Sequence, residues 1–174
     1  AYREDFMKAA LDVYCDASGT MQYVGKTEPE KTISFERSLM QFKDGTPRAL
    51  YVQDYQEVGM SVQFTFKQVC DPNILALATG GELDKTSTSQ HYVFYGSDPG
   101  SIPSYKWSFV GTARDGRVFE LVVRKGQIGE IGDFTTGGTD YSGLQVTVQA
   151  TKDDTITDEK RDMAYFRIVP RTFS

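Results

Sequence analysis

The sequence predicts a mainly β, antiparallel protein with one wet and one dry sheet face and a single short helix. Three observations lead there. Apolar residues recur at every second position, aromatic residues are abundant, and glycine-centred turn signals separate the alternating segments. The chain has 174 residues, among them 10 tyrosines and 11 phenylalanines, and such side chains favour the pleated, half-buried surface of strands.

The clearest alternation starts at Met60. Met60, Val62, Phe64 and Phe66 fall on one face, while Ser61, Gln63, Thr65 and Lys67 fall on the other. Leu144, Val146, Val148 and Ala150 repeat the pattern against Gln145, Thr147, Gln149 and Thr151. Ile33, Phe35, Arg37 and Leu39 follow the same period, as do Leu50 and Val52. An alternating strand running from Val58-Gly59 through Val69 is expected, and segments near Gln90–Tyr95, Tyr105–Thr112, Arg117–Ile128 and Met163–Val169 also read as strands. Arg114-Asp115-Gly116-Arg117 is a two-residue hairpin signal between Trp107–Ala113 and Val118–Val123. Lys43-Asp44-Gly45-Thr46-Pro47 closes a long hairpin joining residues 31–42 to 48–55.

One helix is announced by Asp71 as N-cap, Pro72 at the first helical position and Gly80-Gly81 as a left-handed stop, which places it at about 72–79. Its Ile74, Leu75 and Leu77 can cover one sheet face. Residues 1–11 read as an arm that orders in an assembly. Residues 126–143, with Gly126, Gly129, Gly132, Gly137, Gly138 and Gly143, read as a loop, and so does the charge-rich stretch 152–162. No repeat or long linker divides the chain, so one domain spanning 1–174 is expected.

Composition narrows the function. Net charge is −5 and the pI is about 4.9, and no Lys/Arg-rich run is present, which argues against grip on phosphates or an anionic membrane surface. No apolar run approaches the length of a membrane span and no signal-like segment starts the sequence, so the cytoplasm of the producing cell is the default compartment. Cys15 and Cys70 are too few for a disulfide scaffold and read as reduced, partly buried thiols.

Chemistry finds little support. His91 is the only histidine, so a zinc site or a Cys–His nucleophile would need Cys15, Cys70 or carboxylates gathered around it. Gly126-x-x-Gly129-x-x-Gly132 is not the dinucleotide pattern, and no capped helix follows it. Neither catalysis, nor a metal, nor a cofactor is expected. Glu36, Asp44, Asp54 and Glu57 fall on or beside the long hairpin, as a solvated face or as a repulsive surface toward a polyanion. Gln63, Thr65, Gln145, Thr147 and Gln149 make neutral, polar sheet faces, which suit plain exposure to water or the inside of a water-filled barrel built from several subunits.

The order of segments resembles the tail tube (major tail protein) family of bacteriophages, related to tube proteins of gene transfer agents and contractile injection systems. The resemblance rests on Tyr23-Val24-Gly25 leading into Thr32-Ile33-Ser34-Phe35-Glu36, the long hairpin with Asp44-Gly45, and the alternating strand from Val58 running into Asp71-Pro72-Asn73-Ile74-Leu75-Ala76-Leu77-Ala78. Gln145–Ala150, a charged loop and the closing Tyr165-Phe166-Arg167-Ile168 complete it.

It implies an antiparallel β-sandwich or split barrel with one flanking helix. It further implies hexameric rings stacked into a tube and a lumen that lets double-stranded DNA pass during ejection. Tape measure, tail terminator and baseplate proteins are the implied partners, and the virion tail is the implied location. Carried over, Phe42, Lys43, Asp44, Gly45, Thr46, Pro47 and Arg48 become the candidate inter-ring hairpin, and Glu36, Asp54 and Glu57 the candidate lumen or ring-contact charges. Two alternatives stand beside this reading. One is a monomeric β-barrel or sandwich that binds a ligand or sugar through Tyr105 and Trp107; the other is a tail terminator or baseplate hub of the same fold.

Overall fold

The computed structural model describes residues 11–44, 49–67, 71–80, 82–84, 91–93, 103–112, 116–133 and 143–169. The elements are β1 (Asp12–Cys15), β2 (Gln22–Tyr23), β3 (Thr32–Asp44), β4 (Ala49–Phe66), α1 (Pro72–Thr79), β5 (Glu82–Asp84), β6 (His91–Val93), β7 (Tyr105–Thr112), β8 (Val118–Ile131), β9 (Leu144–Thr151) and β10 (Ala164–Val169). Eight strands form one antiparallel sheet in the order β2-β1-β7-β8-β9-β4-β3, with β10 also beside β8, while β5 and β6 form a separate pair. The predicted class is therefore observed: mainly β, antiparallel, with one short helix, and not closed into a barrel.

The long β8 organises this sheet. Val118–Val123 pairs with β7 on one side and with β10 on the other, whereas Lys125–Ile131 pairs with β9. β9 and β10 therefore run end to end along the same flank of β8, and residues 152–163 make an excursion between them.

β4 and β7 are three strand spacings apart in this order, about 14 Å in a flat sheet. Yet the Phe64 ring centre lies 5.7 Å from that of Phe109 and 6.0 Å from that of Trp107. The sheet must therefore fold over on itself. β1, β7 and the first half of β8 face β4, β9 and the second half of β8 across a shared core, as in a sandwich whose corner is turned by a bent strand.

The corner is at Gly126, where the β7–β8 register shifts. A Cβ placed there would sit 2.6 Å from Trp107 Cδ1 and 2.6 Å from Val148 Cγ1, so the bend needs a residue without a side chain. The Trp107 indole N–H donates to the Gly126 carbonyl at 3.2 Å, which satisfies the one polar group of a fully buried ring. At the open end, the β2–β3 connection reaches across to β4. Thr27 bridges Phe66, and the Glu28 N–H donates to Thr65 O at 2.8 Å.

The predicted alternation decides the core. Val62, Phe64, Phe66, Val146 and Val148 are essentially unexposed and join Val13, Trp107 and Phe109 in one cluster, each contributing roughly 1.5–3 kcal/mol by burial. α1 covers one side of this cluster with Ile74 and Ala78. It starts and stops where its sequence dictates. Asp71 Oδ1 accepts the Asn73 N–H at 2.9 Å, and Gly80 adopts φ 69° while its N–H donates to Ala76 O.

Three expectations are corrected. The strands predicted at 48–55 and 58–69 meet in one continuous strand, β4, over Ala49–Phe66. Residues 126–131 of the predicted loop belong to β8, because Gly126 and Gly129 sit at register shifts inside a strand, and residues 134–142 lie outside the described residues. The turn predicted at Arg114–Arg117 lies partly outside the described residues, and Thr112↔Val118 is the last described pair before it. Ile33, Phe35 and Leu39 do not form a buried row. Ile33 is half-buried, but Phe35 and Leu39 are exposed, because β3 is the outermost strand of the sheet, at the rim of the core. β1, β2 and β5 were not predicted. The arm segment 1–10 and the hairpin tip 45–48 lie outside the described residues.

Candidate functional site

The second half of β8 with β9, β4 and β3 presents a broad outer face opposite the core. Strand register sets its rows. Ser34, Ser61, Gln149 and Gln127 pair in sequence across the four strands, and Thr32, Gln63, Thr147 and Glu130 form the next row. Thr65 and Gln145 add a third. These positions alternate with the buried ones, so a dry core fixes them outward. The five neutral residues singled out from the sequence, Gln63, Thr65, Gln145, Thr147 and Gln149, all lie here and are partly or fully exposed.

Charge enters these rows only at the margins. Glu36 pairs with Gly59 across β3 and β4, and a Cβ at Gly59 would meet Glu36 Oε2 in ordinary contact at 3.4 Å. Glu130 and Lys125 mark the β8 side. Asp54 and Glu57 occupy β4 register positions opposite Met40 and Ser38, farther out along the hairpin, and Phe42, Lys43 and Asp44 carry β3 to its end.

The outer face of the other half of the sheet is different in kind. There Ser108 Oγ donates to Glu120 Oε1 at 2.7 Å, and the Arg167 guanidinium pairs with the other carboxylate oxygen. Burial works against ionisation of Glu120, but the Ser108 hydrogen bond and the Arg167 pair outweigh it and hold the carboxyl below its ordinary range. Arg124 lies over the Tyr165 ring at 4.8 Å and donates through Nε to Arg161 O. One outer face is thus charged and internally paired, while the other is neutral.

A cleft of about 610 Å³ lies between α1 and the β1–β2 hairpin, lined by Cys15, Tyr23, Ile74, Leu77 and Tyr105 among others. Burial, with Asp16 adding to it, pushes the Cys15 thiol up to about 12, which leaves it a thiol and a poor nucleophile. Tyr105 reaches this cleft, but Trp107 does not: it is fully buried in the core, which removes it from the pair a ligand-binding alternative would use. Among the described residues no three His, Cys, Asp or Glu side chains gather to hold a metal, and no helix is long and apolar enough to cross a membrane. His91 lies in β6, in the separate two-stranded sheet, whereas Cys15 lies in β1.

No protein-family model matches the chain, and no curated protein sequence matches it.

Proposed function

We propose that this chain is a structural subunit of a phage tail tube, which assembles into stacked hexameric rings around a bore that passes double-stranded DNA. In this proposal it performs no catalysis, and its work is geometric and electrostatic. The observation that carries the reading is the neutral four-stranded face of β3, β4, β9 and the second half of β8. A wall facing DNA must offer few cations, because each Lys or Arg that neutralises a phosphate adds salt-dependent affinity. It must also offer no large apolar patch. Rows of Ser, Thr and Gln meet both requirements, and the net charge of −5 adds long-range repulsion. Tape measure, terminator and baseplate proteins are the partners this role requires, and the virion tail is its location.

The test is to make the face cationic. Gln63, Gln145 and Gln149 point away from the core, so replacing all three with lysine should leave the fold intact. The parent should show no retention of double-stranded DNA, whereas the triple variant should retain it at low salt and release it as salt rises. A parent that binds DNA tightly, or a triple variant that stays indifferent to it, sinks the bore assignment.

A ligand-binding module of the same fold is favoured by one observation, the cleft under α1 with the Tyr23 and Tyr105 side chains on its wall. Quenching of tyrosine emission by a small ligand in a strictly monomeric protein would support it.

A further inference from the structure

The exposed large apolar side chains among the described residues lie on or beside strands with an open flank. Tyr23 is on β2, Phe35, Leu39 and Met40 are on β3, and Phe166 and Ile168 are on β10. Val58 stands on the part of β4 that has run past β9. Folded monomers protect open strand edges with charge, proline or bulges, because an apolar edge invites pairing with another chain. Here β3 and β10 carry charges, Glu36, Arg37 and Arg167, and β3 has bulges only beyond Arg37. Exposed apolar side chains nevertheless alternate with the charges, with Phe35 exposed to 69% and Phe166 to 51%.

We propose that the outer edge of β3 in one copy pairs antiparallel with the outer edge of β10 in a second copy, an assignment that rests on the self-assembly reading above. The two edges match in pattern. Phe35 and Arg37 of β3 lie on the core-side face with Ile33, and Phe166 and Ile168 of β10 lie on the core-side face through their pairing with Leu121 and Phe119. Setting Phe35 opposite Ile168 keeps both faces continuous. The same register sets Glu36 opposite Arg167 on the polar side, and Arg37 opposite Phe166. One apolar pair, one opposite-charge pair and one cation–aromatic pair then fall in successive positions. Arg167 would lie between Glu120 of its own chain and Glu36 of the neighbour.

Two consequences follow from magnitude and symmetry. Phe35, Val58, Phe166 and Ile168 offer on the order of a few hundred Å² of apolar surface, short of the roughly 800 Å² per partner of a stable interface. A single contact is therefore weak, and stability must come from backbone pairing and from repetition around a closed assembly. Different surfaces meet in this contact, so addition can continue from copy to copy instead of ending at a dimer.

Cysteine cross-linking tests it, since directly opposed residues of an antiparallel pair stand about 4.5–5.5 Å apart at Cα, within disulfide reach. Phe35→Cys and Ile168→Cys are made separately and together, and the parent chain reports the background from its own thiols. Under mild oxidation, mixing the two single variants should give a cross-linked dimer, each alone should stay at the parent background, and the double variant should give a ladder of oligomers. Self-cross-linking of either single variant, or a double variant that stops at the dimer, overturns the pairing. Rings or tubes that form without a mixed cross-link overturn it while leaving self-assembly standing. Absence of both cross-link and assembly overturns the two together.

Discussion

Gly126 shows how one residue shapes this molecule. It lets β8 turn the corner between the two layers, gives Trp107 space, and supplies the carbonyl that the indole N–H needs. Gly126→Ala should overpack that corner and lower stability by about 1–3 kcal/mol, read as a lower denaturation midpoint with an unchanged slope. Glu120 makes a second prediction, with pH as the variable. Its folded carboxyl is held below its ordinary range, so its stabilising contribution is present above the unfolded value and is lost as pH falls through the folded one. Glu120→Gln should therefore cost about 1 kcal/mol near neutral pH, and the gap to the parent should close in acid. Cys15, held as a thiol by burial, should resist alkylation in the folded protein and react once denaturant is added.

At the scale of elements, the sequence was informative wherever a period or a cap was complete. The Met60–Phe66 and Leu144–Ala150 alternations named the core, and Asp71, Pro72 and Gly80 fixed α1 at both ends. Asp71→Ala should cost about 1 kcal/mol, measured as lost thermal stability, since the helix would lose its one side-chain cap. The misreadings have physical causes. Gly126 and Gly129 look like loop residues because no local signal separates a strand corner from a turn; the difference lies in Trp107, Val148 and the register of β9. Phe35 and Leu39 have the period of buried residues, but their burial depends on what lies above the strand, and β3 is the outermost strand of the sheet, at the rim of the core. β1 and β2 are too short to show a period, and β7, to which β1 pairs, is distant in sequence. The neutral face was legible because alternation alone fixes which residues point away from a dry core. The open edges were not, since strand order cannot be read from any single segment.

At the scale of the whole molecule, an acidic chain with apolar edges is under two opposed influences. Edge contacts favour association, while like charge between copies slows it. Salt screens the second more than the first, so the assembly rate should rise with ionic strength, followed by light scattering. A rate that stays flat from low to high salt would remove the electrostatic half of the account. The most direct measurement of the central claim is negative-stain electron microscopy of the purified chain at high concentration and raised salt. The account predicts rings or hollow tubes of uniform diameter with an open bore. Uniform monomers under every condition, at concentrations where weak edge contacts should have accumulated, would contradict it.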